Sequence, residues 1–566
     1  MGVFVFCNRK VYTEKVNDVL QSRGHVDVKC VANNDYTLVH AKKIIKPSQN
    51  YISGKELGGA ENDFIVGIGS FFYKGTYGAQ ALKHVYTDVD TVLRDNPVYG
   101  NWAFCIRKGD TTWVFNDLNG SLRLYYRQEG DKIVVSSSLL STIATMKSPK
   151  FDIVRLSGFL VNEGAKEIPF VQGVENVDSR FYLKIKDGLK PEWIEREISE
   201  APRIEGLDEA VDYVKTLIAD QLDHLKDIGK EEVSVELTGG LDSRLIACII
   251  KNGGLNYNFV HFPLYGPDKE VAYTIAKGLN KEILLQVDDS ELAPVDFKKH
   301  YGEFDACFNF FNHHANPRRI VKNRFQFTGS QGECLTTPVM YSMDISLMKD
   351  PRMDVLLPLL TFKPRQRLLS EERQKELESY LFNYFEVRGF RRGVVLSECE
   401  QQDFNTSFNG LSDFRTISGY MYHINRYSIY NEWHFMHNVS NISFNAKCGR
   451  KISIALINSL DKDLAGFPFV SRLLTRGASV RDTPELPAQY KSYAKYKKMM
   501  PAWMQNLYYK RKISSFDNNM MSDIDFDYYK EIINITELKR YPALYKEVFE
   551  RLYSIEVIRN VMGITK

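Results

Sequence analysis

The residues best placed for chemistry lie at 236–245, where the sequence reads Glu-Leu-Thr-Gly-Gly-Leu-Asp-Ser-Arg-Leu. An alternating, strand-like run stops there at two glycines, and a helix is predicted to begin directly after them. Gly239 and Gly240 would let the backbone approach an anion closely, Ser243 offers a hydroxyl, and the helix N-terminus would direct its N–H groups to the same place. Asp242 is then suited to hold the Mg²⁺ that accompanies phosphates. The segment predicts a phosphate-binding loop, although the common G-x-x-x-x-G-K-[ST] loop occurs nowhere in the chain.

The elements around this loop alternate between strands and helices. Alternating apolar residues predict strands at 233–237, 257–262 and 283–287. Helical spacing predicts helices at 243–251 and 266–276. This βαβαβ order predicts a doubly wound α/β fold.

The stretch at 237–243 resembles the Leu-Ser-Gly-Gly-Leu-Asp-Ser pyrophosphate loop of the N-type ATP pyrophosphatases, and specifically that of the asparagine synthetase-like family. Thr238 stands where the family usually has serine, which keeps the hydroxyl. In the family the adenine lies against the end of the second strand, so the resemblance places the base near the backbone of His261, whose side chain is expected to pack. The resemblance implies ATP binding by Leu237, Thr238, Gly239, Gly240, Leu241, Asp242, Ser243, Arg244, His261, Phe262, Gly329 and Ser330.

A second stretch, at 324–335, reads Arg-Phe-Gln-Phe-Thr-Gly-Ser-Gln-Gly-Glu-Cys-Leu and resembles the family's strand that leads into Ser-Gly-Glu-Gly-Ala-Asp-Glu-Leu. With the two aligned on the Thr-Gly pair, Glu333 falls where the family has its second metal-binding carboxylate. The resemblance therefore implies that Asp242 and Glu333 together hold Mg²⁺. Ser330 takes the place of the first glutamate, to which asparagine-forming members assign substrate handling, so the resemblance does not specify aspartate as the substrate.

A third stretch, at 447–469, resembles the family's basic loop, amphipathic helix and Pro-Phe pair. The family places a lysine of that loop near the α-phosphate, where fixed positive charge stabilises the acyl-adenylate as it forms and collapses. Lys447, Lys451 and Arg450 are the three candidates for this catalytic role. A solvated basic loop without a catalytic role is the alternative.

The first 200 residues predict a β-rich domain. Strand-like runs at 100–107, 112–127 and 133–138 are separated by turn signals at 108–110 and 129–131. Their order resembles the N-terminal glutaminase domain of the same enzymes, which implies a β-sandwich of the N-terminal nucleophile (Ntn) hydrolase type.

The chemistry of that glutaminase is not expected here. It needs a cysteine as its first mature residue, where the thiol attacks the amide and the α-amine acts as base. Removal of Met1 would expose Gly2, and Cys7 falls inside an apolar strand. The glutamine-anchoring Asn-Gly-Glu is replaced by the run at 71–75. We expect a degenerate domain that packs against the synthetase domain and shapes its site.

Composition bounds the remaining possibilities. The chain has 566 residues, of which 44% are hydrophobic and 26% charged, so it can bury more than one core. The formal net charge of +3 gives no reason to expect nucleic acid as a partner. No apolar run approaches the roughly 20 residues that span a bilayer. The eight cysteines are scattered singly, which fits a reducing cytoplasm and no zinc site.

The fold prediction is α/β and α+β, with three parts. Residues 1–200 form the degenerate glutaminase-like domain, 207–480 the ATP pyrophosphatase domain with helical additions, and 481–566 a helical, basic and aromatic extension. Within the second part, helices are predicted at 370–387 and 418–437 over the nucleotide fold, with His423, Arg426 and Tyr427 on or next to one helical face. The segment at 307–319, with Asn309, Asn312, His313 and His314, is expected to line the specificity pocket. The tail at 525–566 predicts two short amphipathic helices.

These parts predict an ATP-dependent, AMP-forming amide ligase with ATP and Mg²⁺ as cofactors. Its partners would be small-molecule or peptide carboxylate and amine substrates, with a carrier protein as an open possibility. Amidation or aminoacylation of a carboxylated sugar or a secondary metabolite is an alternative. A nucleotide-binding scaffold without activity is another, prompted by Ser330 and by the missing N-terminal cysteine.

Overall fold

The computed structural model of the chain describes residues 2–10, 13–43, 49–161, 168–226, 228, 232–261, 266–286, 305, 325–336, 350–360, 363–405, 426–470, 479–482, 501–510, 521 and 524–563. Within these ranges the chain forms three β-sheets with helices packed against them, a mixed α/β architecture with several hydrophobic cores. None of the helices in the described ranges has the length and apolar character needed to cross a membrane.

The strands and helices are numbered in chain order. The strands are β1 Val3–Cys7, β2 Lys29–Ala32, β3 Thr37–Ala41, β4 Tyr51–Ser53, β5 Phe64–Tyr73, β6 Thr76–Tyr77, β7 Tyr99–Lys108, β8 Thr111–Asn116, β9 Tyr125–Glu129, β10 Lys132–Ser136, β11 Glu175–Asn176, β12 Phe181–Lys186, β13 Glu192–Glu195, β14 Val233–Glu236, β15 Tyr257–His261, β16 Ile283–Gln286, β17 Phe325–Phe327 and β18 Arg426–Tyr427. The helices are α1 Glu14–Ser22, α2 Gly54–Leu57, α3 Ala79–Thr87, α4 Val89–Asp95, α5 Leu139–Ala144, α6 Ile153–Val161, α7 Leu207–His224, α8 Leu241–Asn252, α9 Gly266–Gly278, α10 Met353–Leu360, α11 Lys363–Gln366, α12 Glu371–Glu386, α13 Glu398–Asn405, α14 Trp433–Ser440, α15 Phe444–Lys447, α16 Lys451–Leu460, α17 Lys462–Gly466, α18 Ala502–Lys510, α19 Phe526–Tyr529, α20 Ile535–Arg540 and α21 Lys546–Met562.

Two antiparallel sheets make up the N-terminal part, with strand orders β11-β9-β10-β1-β3-β2 and β13-β12-β8-β7-β5-β4. The period-2 alternation of side chains assigns each strand residue to one face of its sheet. In β1, Phe4 and Phe6 enter the core between the sheets, whereas Val3 and Val5 face the core that contains α1 and α5. On the outer face of the second sheet, α3 and α4 cover a separate core. The result is four layers in the order helix, sheet, sheet, helix. The strands predicted at 100–107 and 133–138 are confirmed as β7 and β10, whereas the run predicted at 112–127 divides into β8 and β9, which belong to different sheets.

C-terminal segments thicken the helical layer on the first sheet. The predicted helix at 370–387 is confirmed as α12, but it packs against α6 of the N-terminal part rather than over the nucleotide fold. Residues of α19, α20 and α21 join the same core. Arg551 is buried in α21 and donates to the carbonyl oxygens of Phe159 (2.8 Å) and Leu160 (3.3 Å).

The prediction of two short amphipathic helices in the tail is wrong. The described tail has three helices, and α21 runs for 17 residues with 12 of them buried, including Glu550, Arg551 and Arg559. A helix that is covered on most sides has no continuous polar face, because its buried positions lie all round it. The pattern therefore carries no amphipathic signal even though the helix is long.

The third sheet is parallel and has the order β16-β15-β14-β17-β18. All four residues of β14 are buried, as expected for a parallel strand covered on both faces. The sheet thus has the order 3-2-1-4-5 when its strands are counted along the chain, which confirms the predicted βαβαβ run. In such a sheet the direction of winding changes between β14 and β17, and ligands bind at the carboxyl ends of the strands at that point.

Strand β18 replaces part of the helix predicted at 418–437. Residues 406–425, including His423, lie outside the described ranges, and from residue 426 the chain forms β18, a 3₁₀ turn at Ile429–Asn431 and then α14. Arg426 is 3% exposed and donates to the Glu236 carboxylate from within the sheet (2.9 and 3.0 Å). The helical spacing was misleading because this two-residue strand is specified by a charge partner 190 positions away in the sequence.

We expect Arg426→Met to lower the free energy of unfolding by about 3–5 kcal/mol, because it leaves the Glu236 carboxylate buried without its partner. Urea denaturation followed by circular dichroism measures this change. The matched control is Lys215→Met, which breaks an exposed ion pair with Asp212 (3.2 Å) and should cost under about 1 kcal/mol. Equal losses in the two variants would contradict a structural role for the buried pair.

Candidate functional site

The predicted phosphate-binding loop lies at the carboxyl end of β14, at the point where the winding of the sheet changes. Its backbone is shaped by Thr238 and Ser243, whose hydroxyl oxygens are 2.9 Å apart. The Ser243 hydroxyl accepts the Thr238 N–H at 3.0 Å, and the Thr238 hydroxyl accepts the Gly240 N–H at 3.2 Å. These contacts fold the loop back on the first turn of α8. Leu237 and Leu241 are buried on either side and anchor the loop in the core.

The loop after β17 packs directly against this first turn. A Cβ on Gly329 would lie 2.7 Å from the Ser243 N atom, and a Cβ on Gly332 would lie 2.4 Å from Asp242 Cγ. Neither distance is possible for real side chains, so only glycine permits this approach. Residue Glu333 follows directly in a 3₁₀ turn, Gly332–Leu335, and is exposed. The structure therefore brings the two carboxylates that the sequence assigns to Mg²⁺ onto neighbouring loops.

Arg450 completes this arrangement from a third segment. Its Nη1 atom lies 2.9 Å from Oδ1 and 3.1 Å from Oδ2 of Asp242. The Asp242 charge is the main cause that raises the pKa of Arg450, and Glu333 adds to it. Arg450 has a φ of 59°, in the left-handed region that is costly for a residue with a side chain. Of the three predicted cationic residues, Arg450 is in direct contact with the loop carboxylate.

Lys447 is buried, whereas a solvated basic loop would leave this side chain exposed to water. Its side chain is fully buried and Nζ donates to the carbonyl oxygen of Ser440 at 3.2 Å. Burial lowers its pKa to about 8, although Cys334, Cys399 and Glu398 favour the charged form. Lys451 begins α16 and is half-buried.

The side chain of Arg244 is used for structure. It is fully buried and donates to the carbonyl oxygens of Leu464 (3.3 Å) and Phe467 (2.7 Å). Burial lowers its pKa to about 10. The segment that Arg244 binds also contacts the phosphate-binding loop, since the N–H of Val470 donates to the Gly239 carbonyl oxygen at 2.8 Å. Only the backbone of Arg244 is thus left for a ligand at this loop.

Of the remaining predicted residues, one is packed in the core, one lies in a loop, and the others lie outside the described residues. His261 is 1% exposed and its Nδ1–H donates to the Leu237 carbonyl at 2.8 Å, so it packs at the end of β15 as expected. Ser330 lies in the β17 loop, where its N–H donates to the Thr328 hydroxyl at 3.2 Å. Phe262 and the predicted specificity segment at 307–319 lie outside the described residues.

Two residues at the site were not singled out from the sequence. The Tyr430 hydroxyl donates to the Asp242 carbonyl at 3.0 Å, and the Asp268 Oδ1 atom accepts the Gly239 N–H at 3.2 Å. Asp268 belongs to the Gly-x-Asp start of α9, which is a signal the sequence did carry. Tyr430 follows the short strand β18 and has no local signal.

The donor set at this site fits Mg²⁺ with a polyphosphate. Mg²⁺ is held in proteins by one or two carboxylates, with phosphate oxygens and water as its other ligands. Asp242 and Glu333 are such carboxylates, and Gly240 is the loop glycine with open space at its Cβ position, where the nearest atom is the Thr238 hydroxyl oxygen at 3.5 Å. Among the described residues, no cluster of three or more His, Cys, Asp or Glu side chains is present that would form an all-protein metal site.

Cys7 does not have the environment of a nucleophile. It ends β1, is 1% exposed and faces the core between the first sheet and its helices. Burial raises the pKa of its thiol, which disfavours the reactive thiolate.

Comparisons with known proteins do not identify a family for this chain. No family model matches the chain, and no curated protein matches it. Among solved structures it is similar to a glutamine phosphoribosylpyrophosphate amidotransferase from B. subtilis complexed with ADP and GMP, at 12% identity over 52% of this chain and 69% of that chain, with a TM-score of 0.23. A structure described as the allosteric regulatory enzyme of purine biosynthesis shows 11% identity, the same coverage and a TM-score of 0.22. Likenesses with TM-scores this low support neither a fold nor a function for this chain.

We expect Gly332→Ala to lower the free energy of unfolding by about 1–3 kcal/mol, since the new methyl group must displace Asp242 or its own loop. Gly240→Ala is the matched control in the same site. Its Cβ would meet only the Thr238 hydroxyl, at 3.5 Å, and its φ of −80° suits alanine. It should be close to neutral, because the gain of about 0.4–1 kcal/mol from a less flexible unfolded chain is opposed by the loss of glycine at the N-cap of α8. Denaturant unfolding of both variants measures the difference, and equal effects would contradict the close approach of the two loops.

Lys447 gives a pH-dependent expectation. Its folded pKa of about 8 lies below the ordinary 10.5, so between these values the unfolded chain binds more protons and stability rises with pH. Relative to Lys447→Met, the wild type should gain about 1.4 kcal/mol per pH unit across this window. Unfolding free energies of both proteins at pH 7.5 and pH 10 measure this, because other titrating groups cancel in the difference. A difference that is the same at both pH values would contradict the buried position.

Proposed function

We propose that this chain is an ATP-dependent, AMP-forming amide ligase of the asparagine synthetase-like family. The observation that carries the proposal is the contact of Gly332 with Asp242. It joins the two loops at the winding change of a parallel sheet, where ligands of such sheets bind. It also sets the Asp242 carboxylate beside the turn that carries Glu333, at the N-terminus of α8.

The loop supplies the groups that a pyrophosphate needs. The N-terminus of α8 presents unpaired N–H groups and the positive end of the helix dipole to an anion. Gly240 leaves the backbone accessible because nothing lies within 3.4 Å of its Cβ position. Asp242 and Glu333 would hold Mg²⁺, which when bound neutralises charge on the leaving pyrophosphate.

The proposed reaction has two steps. A substrate carboxylate oxygen attacks the α-phosphorus of ATP, the bond from that phosphorus to the bridging oxygen breaks, and pyrophosphate leaves. The amine nitrogen of the second substrate then attacks the acyl carbon of the acyl-adenylate, the bond from that carbon to the AMP oxygen breaks, and the nitrogen loses a proton. The products are an amide, AMP and pyrophosphate.

Arg450 is the cation best placed to act on the developing charge. It stands at the loop carboxylate and is fixed there before any ligand binds, and such preorganised charge is usually the largest catalytic contribution. Lys447 is directed instead at the Ser440 carbonyl. We therefore assign Arg450 to contact the phosphates. Lys447 is assigned no phosphate contact, because its Nζ atom is used at the Ser440 carbonyl.

The N-terminal part is proposed to be a degenerate Ntn-hydrolase-like domain without glutaminase activity. Its four layers and the burial of Cys7 support this assignment. Its contribution is positional, because Asn101 and Asn119 each donate from Nδ2 to the Asn431 carbonyl at 3.0 Å. Asn431 follows Tyr430, which in turn contacts Asp242.

A nucleotide-binding scaffold is the second candidate, and the Asp242–Arg450 ion pair favours it. A carboxylate that is neutralised by an arginine is a weaker metal ligand than a free one, which would leave nucleotide binding without adenylation. The ligase requires Arg450 to release Asp242, or to share it, when Mg²⁺ and ATP bind.

ATP–pyrophosphate exchange separates the two candidates. With a panel of amino acids, sugar acids and aromatic acids, we expect at least one acid to give exchange that Asp242→Asn lowers by about a hundredfold or more, since one lost charge contact at the reacting phosphates is worth about 2.7–4 kcal/mol. Asp463→Asn changes an exposed carboxylate on α17 and should exchange like the wild type. Nucleotide binding without exchange for any acid would support the scaffold, and exchange that survives in Asp242→Asn would remove the proposed site.

A further inference from the structure

A cavity lies between the N-terminal part and the helices α12, α13 and α14. It has a volume of about 370 Å³, which suits a ligand of the size of an amino acid. Its walls come from the loops before β9 and β12, from the C-terminal end of α12, and from α13 and α14. No group assigned to ATP or to Mg²⁺ lines it.

Two side chains with hydrogen-bond acceptors face this cavity and have no donor within the part of the chain that the structure describes. Gln402 is 4% exposed, and its Oε1 atom is buried with no hydrogen-bond partner. Asp403, next to it on α13, has no hydrogen bond or ion pair to any described residue. Although its side chain is exposed to the cavity, the surrounding protein raises its pKa to about 6, Glu400 adds to this effect and Lys447 opposes it. A buried acceptor without a donor is costly, so Gln402 Oε1, with the exposed Asp403 carboxylate beside it, offers a place for a donor, preferably a cationic one.

The other walls suit an apolar body and an anionic group. Trp433, Tyr384 and Phe390 supply aromatic surface. Arg388 stacks on the Tyr384 ring with its guanidinium carbon 3.5 Å from the centroid, and it has no carboxylate partner within hydrogen-bond distance among the described residues. By contrast, Arg180 is paired with Asp178 through two hydrogen bonds. The cavity therefore presents the Asp403 carboxylate at one place and Arg388 at another, where the arginine charge acts on Asp178 without a hydrogen bond to it.

Lys447 connects this cavity with the nucleotide site. Its Nζ atom donates to the carbonyl oxygen of Ser440, a residue that lines the cavity. Its charge acts on Asp403 and also on Cys334, which follows Glu333. Lys447 thus lies between the acceptor pair and the turn that carries the second predicted metal ligand.

We propose that this cavity binds the amine substrate of the ligase, an amino-acid-like zwitterion with an aromatic or apolar body, with its ammonium group at Gln402 and Asp403 and its carboxylate at Arg388. The assignment as a substrate site depends on the proposed function, whereas binding of the zwitterion does not. The amine enters the reaction as described above, by attack of its nitrogen on the acyl carbon after loss of a proton.

Binding can be measured without ATP by ¹⁹F NMR of the full chain labelled with 5-fluorotryptophan. Trp433 is one of five tryptophans, so its resonance can be assigned with Trp433→Phe. The probe is L-phenylalanine, and 3-phenylpropionate is the matched ligand that lacks only the amine. We expect L-phenylalanine to shift the Trp433 resonance saturably and to bind at least about tenfold more tightly than 3-phenylpropionate, since its ammonium group adds a charge-assisted hydrogen bond that 3-phenylpropionate cannot make.

Variants separate the two ends of the ligand. Asp403→Asn should weaken L-phenylalanine about tenfold and leave 3-phenylpropionate unchanged, and Arg388→Gln should weaken both. Glu378→Gln removes an exposed carboxylate from α12 and should change neither. Equal affinities for the two ligands, or no shift at Trp433 with either, would overturn the proposal. Saturable amine binding in a protein that shows no pyrophosphate exchange would remove the ligase while leaving the amine site in place.

Discussion

The ion pair between Asp242 and Arg450 ties together the segments at the carboxyl end of β14. It joins the first turn of α8 to the start of α16, and the Gly332 turn is closed over it. Both side chains are about a quarter exposed, at 24% and 30%, so solvent screens part of the attraction. Arg450 meanwhile holds a left-handed backbone conformation that costs about 1–2 kcal/mol. The attraction and the strain are of similar size, so the ion pair offsets the cost of the left-handed backbone at Arg450.

The N-terminal part also contacts the segment that holds Asp242. Asn431 is fully buried, and its carbonyl oxygen accepts hydrogen bonds from Asn101 and Asn119. Because Tyr430 precedes it and donates to the Asp242 carbonyl, the packing of the two sheets in the first half fixes the loop in the second. The N-terminal part thereby contributes to the geometry of the loop at 237–243. Lys447 has a comparable position between two parts of the structure. Its Nζ atom donates to the carbonyl oxygen of Ser440, and its charge interacts with Cys334 in the turn at Gly332–Leu335.

How far the sequence predicts this structure depends on whether the signal is local. The strand, glycine pair and helix at 233–252 were predicted because their pattern is contiguous, and Glu333 followed from a second contiguous stretch. The strand β18 was predicted as helix because it depends on Glu236, far away in the chain, and Tyr430 was missed for the same reason. In the tail, α21 lost its amphipathic pattern because Arg551 and Glu550 are buried within protein rather than in water. Sequence patterns report exposure to solvent, and they fail where polar groups find their partners inside the protein.

The measurement that tests the central claim most directly is hydrogen–deuterium exchange of the full chain with Mg²⁺ and α,β-methylene-ATP, compared with Mg²⁺ alone. The two loops are in contact through Gly332 and Asp242, so one ligand should slow exchange at both 237–243 and 328–336 together. Such paired protection is the result that a single ATP site at the winding change of the sheet predicts. Protection of only one loop, protection elsewhere in the chain, or no protection at saturating ligand would contradict it.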